Sequence, residues 1–134
     1  KCPFVGGNAA INDEFVKIAG LKLAKGCYMT NEPLPGDLPY KEAKEFLAAY
    51  KAKYGEIPSS PWPIYAADAV NIIAYAIDKT KSTDSDKLAA YLRNSVNGVP
   101  GITGPIGFTA QGDREGVPFY LYVVDDAGKI VISK

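Results

Sequence analysis

The chain has 134 residues, 15 basic and 15 acidic side chains, a formal net charge of zero and 47% hydrophobic residues. That is enough chain for one domain with a real core, in ordinary globular proportions. It disfavours disorder, collagen and coiled coil. A nucleic-acid partner has little support without a basic stripe, and no apolar run approaches the roughly 20 residues of a membrane span.

The chain opens Lys1-Cys2-Pro3-Phe4, with no starting Met and no signal peptide, which reads as an internal cut or as a mature or engineered end. Cys2 and Cys27 are the whole thiol inventory. They fit one disulfide in an oxidising compartment or two free thiols. With no histidine and no C-x-x-C pair, zinc is not expected, and neither is any other metal or cofactor.

Pro3 to Gly7 reads as a short apolar strand ending in a glycine pair. A helix is expected from about Asn12 to Ala19, capped by Asn12 or Asp13, with Phe15, Ile18 and Ala19 inward and Gly20 as its stop. Gly26 to Thr30 is a second strand. Asn31 to Pro39 holds three prolines and a glycine and reads as a loop that crosses some distance.

Tyr40 to Tyr54 is an amphipathic helix, with Ala43, Phe46, Leu47, Tyr50 and Tyr54 on one face and lysines and glutamates on the other. Gly55 stops it. Ile57 to Pro63 is a second loop and carries the single tryptophan, Trp62. Ala66 to Asp78 is a helix apolar almost all round, which calls for cover from a sheet and from neighbouring helices. Ser82 to Asp86 offers caps for a short helix whose apolar stripe is Leu88, Tyr91 and Leu92. Beyond Asn97-Gly98 the pattern turns to β. Pro105 to Phe108 is a short strand, Gln111 to Gly116 a polar turn, and Phe119 to Asp125 a strand with Tyr120, Tyr122 and Val124 on one face. Asp126-Ala127-Gly128 then turns it into a last strand, Ile130 to Ser133. The fold class is α/β: a βαβ start, central helices and a β-hairpin tail.

Gly6-Gly7-Asn8 lies between a strand and a helix. In open α/β sheets ligands bind at strand carboxyl ends beside helix N-termini. Gly7 would let a ligand approach the backbone, and the Asn8 amide both donates and accepts. A plain tight turn explains the same residues equally well, since Gly and Asn suit positive φ. The spacing is not G-x-G-x-x-G, so no dinucleotide is indicated. Trp62 would either wall a pocket or cap the core locally, and Tyr28 and Tyr65 share that ambiguity. Asp68 interrupts the apolar helix; a buried acid must be bonded, most simply to nearby backbone or a hydroxyl. With no histidine, a Ser-His-Asp or Cys-His arrangement is excluded. Asp113 and Glu115 sit in a turn and read as solvated. Gly104 to Gly116 reads as a structural hairpin, with a docking surface as the lesser alternative. No nucleophile-base pair is visible, so an enzyme is not expected.

Phe4-Val5-Gly6-Gly7 followed by Asn12-Asp13-Glu14-Phe15-Val16-Lys17-Ile18-Ala19-Gly20 resembles a segment of the periplasmic leucine/isoleucine/valine-binding proteins. So do Lys25 to Thr30, Phe46 to Gly55 and Tyr65 to Val70, in that order. The most specific match is Gly101-Ile102-Thr103-Gly104-Pro105-Ile106-Gly107-Phe108 with Gly112-Asp113-Arg114-Glu115-Gly116. The resemblance covers essentially the whole chain. It implies a type I periplasmic-binding-protein fold, of which this chain is the C-terminal portion, with lobe crossings near residues 31–39 and 98–104. It also implies a periplasmic or extracellular protein that binds a small solute, an amino acid or related organic acid, and docks on the membrane permease of an ATP-driven importer. The ligand contacts so implied are Gly7, Asn8 and Trp62. Family members often carry an acid where Asn8 stands, to meet a ligand ammonium; a neutral amide gives up that charge-assisted bond. The alternative is a structural or assembly fragment that swaps or pairs with its N-terminal portion or a second copy of the chain to complete its sheet.

Overall fold

The computed structural model describes residues 4–133, with every side chain except that of Asp13. The chain divides into two compact units: one holds residues up to Leu34 and from Pro118 onward, the other runs from Pro35 to Val117.

The first unit is built on a four-stranded sheet in the order β1-β2-β3-β4. Strand β1 spans Val5–Gly6, β2 Tyr28–Asn31, β3 Tyr120–Val124 and β4 Ile130–Ile132. Strands β1 and β2 are parallel; β2–β3 and β3–β4 are antiparallel. The parallel pair needs a crossover, supplied by helices α1 (Asp13–Ala19) and α2 (Leu21–Ala24). Asn12 caps α1: its side-chain oxygen accepts the Phe15 N–H at 2.9 Å. The Gly20 N–H closes the last turn on the Val16 carbonyl.

One sheet face carries the core. Met29, Tyr122 and Val124 are buried with Ile11 and Ala24, and Phe15, Val16 and Ala19 pack against them. Tyr120, Tyr122 and Val124 do share one face, as alternation requires. The Tyr122 hydroxyl accepts the Leu34 N–H at 2.9 Å, which ties the segment after β2 to the sheet. Ile18 does not face inward. It is 84% exposed, because α1 has only two turns and Phe15, Val16 and Ala19 already occupy its buried side. Residues Val5, Tyr28, Val123 and Val131 are in register across all four strands on the opposite face. Val5 and Val131 are exposed there, and so is Leu121, which pairs with Thr30. Cys27 donates weakly to the Leu23 carbonyl; Cys2 and Pro3 lie outside the described residues, and with them any pairing of the two cysteines.

Among its described residues the second unit contains helices, turns and two isolated β-bridges. Helix α3 spans Lys41–Tyr54, α4 Trp62–Thr80 and α5 Ser85–Ser95. Helix α3 ends at Gly55, which takes the left-handed conformation (φ 89°) that the stop requires. The Asp84 side chain caps α5 by accepting the Lys87 N–H at 2.9 Å. Helix α4 buries one stripe, Ile64, Asp68, Ile72 and Ala76, at a spacing of four residues. Ile64 packs with Leu38, Ala43 and Ile102, and Ile72 with Val96 and Ile106. The all-round cover expected of α4 is not present within the unit: Ala66, Ala69, Val70, Ile73 and Ala74 are exposed, Val70 to 67%. Pro105 to Phe108 is not a regular strand. Only single bridges form, Val99 to Ile106 and Phe108 to Arg114, since glycines at 101, 104 and 107 keep the segment turning.

The chain passes from the first unit to the second at Leu34–Pro35, inside the proline-rich stretch 31–39, and returns at Val117–Pro118. Residues 98–104 lie within the second unit.

Candidate functional site

The glycine pair after β1 has two different roles. A Cβ on Gly6 would lie 3.0 Å from the Phe4 ring and 3.1 Å from the Ala10 methyl, so a side chain there would crowd both. A Cβ on Gly7 would meet nothing within 4 Å. Gly7 is extended (φ −85°, ψ −174°) and leads into a short 3-10 turn, Asn8–Ala10, in which the Ala10 N–H bonds the Gly7 carbonyl at 3.0 Å. Neither glycine takes a positive φ. A need for left-handed backbone, the tight-turn explanation, therefore does not account for them. Gly7 and Asn8 are both exposed, at the carboxyl end of a strand with a parallel neighbour, where the backbone lies open to a ligand.

Trp62 is not in a loop. It opens α4, with Pro63 behind it in the first helical turn, where a missing N–H costs nothing. The indole is 55% exposed. Tyr65, one turn on, and Tyr28, inside β2, are both half-buried. Gly7 and Asn8 belong to the first unit and Trp62 to the second.

The best-built polar constellation centres on Asp68, 3% exposed on the inner stripe of α4. Its Oδ1 accepts the Ile102 N–H at 2.7 Å. Its Oδ2 accepts the Thr103 N–H at 2.8 Å and the Thr103 hydroxyl at 2.5 Å. The same hydroxyl accepts from Arg114 Nη1, which stands 3.9 Å from Oδ2, and Arg114 Nη2 reaches the Gly104 carbonyl at 3.4 Å. A buried carboxylate thus receives three hydrogen bonds and a neighbouring cation, which offsets its lost hydration. The structural bond to backbone and a hydroxyl is what the sequence suggested. Thr103 and Arg114 are the partners that sequence reasoning missed. Beside them opens a cavity of about 290 Å³ walled by Ile72, Ile73, Ile106 and Phe108.

Asp113 and Glu115 are exposed, as their turn position suggested. Gly104 (φ 103°) must be glycine twice over, since a Cβ there would sit 2.6 Å from the Tyr40 ring. Away from the candidate contacts, burial and then the neighbouring Tyr75 phenol push the Tyr91 hydroxyl above its ordinary value. Among the described residues no three His, Cys, Asp or Glu side chains gather to hold a metal, and no helix is long and apolar enough to cross a membrane.

Residues 1–129 match the profile of the Periplasmic binding protein family. The chain is 32% identical over 120 residues to the leucine-, isoleucine-, valine-, threonine- and alanine-binding protein of Pseudomonas aeruginosa, covering 89% of this chain and 30% of that one. A leucine binding protein, LivK, from Thermotoga maritima superposes with a TM-score of 0.81 at 25% identity, over 97% of this chain and 36% of that one. A branched-chain amino acid transporter substrate binding protein, LivJ, from Streptococcus pneumoniae, solved with isoleucine, does so with a TM-score of 0.71 at 28% identity, again covering 97% and 36%. The chain spans about a third of the length of each of these relatives. The mixed sheet, its crossover helices and these matches place the chain in the periplasmic binding protein family, type I, among proteins similar to the leucine/isoleucine/valine-binding members.

Proposed function

We propose that the chain serves in the capture of a small solute, an amino acid or a related small organic acid, for ATP-driven import, in the periplasm or outside the cell. The observation that carries this reading is the open turn after β1. Gly7 has free space over its backbone, and the exposed Asn8 amide beside it can both donate to and accept from a ligand. The named relatives bind branched-chain amino acids, which supports the same ligand class here. Gly7, Asn8 and Trp62 are the proposed contacts, the membrane permease of an importer is the proposed partner, and no catalytic step is assigned. Stretch 31–39 is the proposed first lobe crossing.

The test is the thermal midpoint of the chain against amino acids and small organic acids. A ligand present at about 100 times its dissociation constant adds about 2.7 kcal/mol, which raises the midpoint of a domain this size by several degrees. One ligand class is expected to shift the midpoint, and Asn8→Ala is expected to shrink that shift. A variant that responds like the parent removes Asn8 from the site. A flat panel counts against self-sufficient capture by this chain.

A second reading has its own support. The exposed apolar stripe of α4 and the exposed Val5, Leu121 and Val131 on one face of the sheet favour a chain that is completed by further protein, its N-terminal portion or a second copy.

A further inference from the structure

We propose that Asn97-Gly98 is a site of spontaneous backbone modification, at which the asparagine cyclises and reopens as aspartate and isoaspartate. Asn97 is exposed and lies just past the end of α5, free of helical geometry. Gly98 is an exposed bend with φ 71°, and nothing beyond its chain neighbours lies within 4 Å of the point where a side chain would begin. Among the described residues the Gly98 N–H donates to no backbone or side-chain acceptor. An exposed N–H with no acceptor, on a residue with no Cβ, is open to hydroxide. It is the only Asn-Gly pair in the chain.

The chemistry balances with water alone. The ionised Gly98 nitrogen attacks Asn97 Cγ, a carbon-nitrogen bond forms, the Cγ–Nδ2 bond breaks, and the amide nitrogen leaves as ammonia. Water then opens the five-membered imide at either carbonyl. Opening at one carbonyl gives aspartate; opening at the other moves the main chain onto the side-chain carbon and lengthens it by one atom. The position gives both products a structural consequence. Val96, immediately before, is buried with Ile72 and Ile106, and Val99, immediately after, bridges Ile106. Asn97 Oδ1 and Glu115 Oε2 lie 3.7 and 3.5 Å from the point where a Gly107 Cβ would stand. Opening to aspartate therefore brings a second carboxylate toward Glu115, where like charges repel, and opening to isoaspartate instead inserts an extra main-chain carbon between Val96 and Val99.

The test incubates the purified chain at mildly alkaline pH and maps its peptides by mass spectrometry, with fragmentation to separate Asn94 from Asn97. Conversion is expected at Asn97 ahead of Asn8, Asn12, Asn31, Asn71 and Asn94, as a mixture of aspartate and isoaspartate. Asn97→Gln, whose side chain can close only a less favourable six-membered ring, is expected to abolish the mass gain at that position. Gly98→Ala would slow it as well, but a positive φ strains alanine, so the glutamine variant is the decisive one. Conversion led by another asparagine, a mass gain that survives Asn97→Gln, aspartate with no isoaspartate, or no conversion at all would each overturn the proposal.

Discussion

Asp68 illustrates how much a single position discloses by its residue type. An acid in the middle of Ala, Val and Ile on a helix has to be bonded, and that much is legible from the residue alone. Its partners are not, because Ile102 and Thr103 arrive from 34 and 35 residues further along the chain. Asp68→Asn tests the assignment. The amide keeps one acceptor oxygen but turns an NH2 group toward N–H donors, leaving at least one of them buried and unpaired. We expect a loss of about 3 kcal/mol, read from urea unfolding. Glu115→Gln, at an exposed carboxylate, should stay within about 0.5 kcal/mol. Equal effects would deny the buried network its role. Gly7 shows the converse: its residue type is legible as a candidate contact, but the reason for it is not. Only the geometry separates Gly6, held by packing, from Gly7, which opens onto free space.

At the scale of elements, the caps and stops are the readable part. Asn12 and Asp84 sit where their helices begin, and Gly20 and Gly55 where helices end. These signals are local, each a side chain or glycine acting on the backbone a few residues away. Replacing Asp84 by Ala removes the acceptor for the Lys87 N–H and should cost about 1 kcal/mol, measurable by thermal unfolding. Asp84→Asn should recover most of it, and a midpoint unmoved by the alanine would mean that packing alone fixes the start of α5. Trp62 reads as a loop residue because Ser59-Ser60-Pro61 and Pro63 surround it, yet proline is at home in a first helical turn, and the helix begins there. The strand expected at Pro105 to Phe108 fails for a non-local reason. A strand needs a continuous ladder with a partner, and here Val99 and Arg114 each supply one bridge and then diverge.

At the scale of the molecule, periodicity yields α/β, whereas the periplasmic-binding-protein architecture comes from the resemblance. The unmet expectation of cover around α4 has a physical content of its own. Val70 and Ile73 stand on solvent with Ala66 and Ala69 beside them, a stripe that water leaves readily when a partner surface arrives. Light scattering across a wide concentration range should therefore detect association of the isolated chain, and Val70→Glu with Ile73→Glu should reduce it. A strict monomer throughout would rule out pairing with a second copy. The half-exposed indole at the head of the same helix turns the chain into its own optical gauge. Trp62 is the single tryptophan, so all indole emission comes from one known point, beginning at the long wavelengths of a solvated ring. A ligand or companion protein that settles over the start of α4 will move that light toward the blue, whereas one that binds elsewhere will leave its colour unchanged.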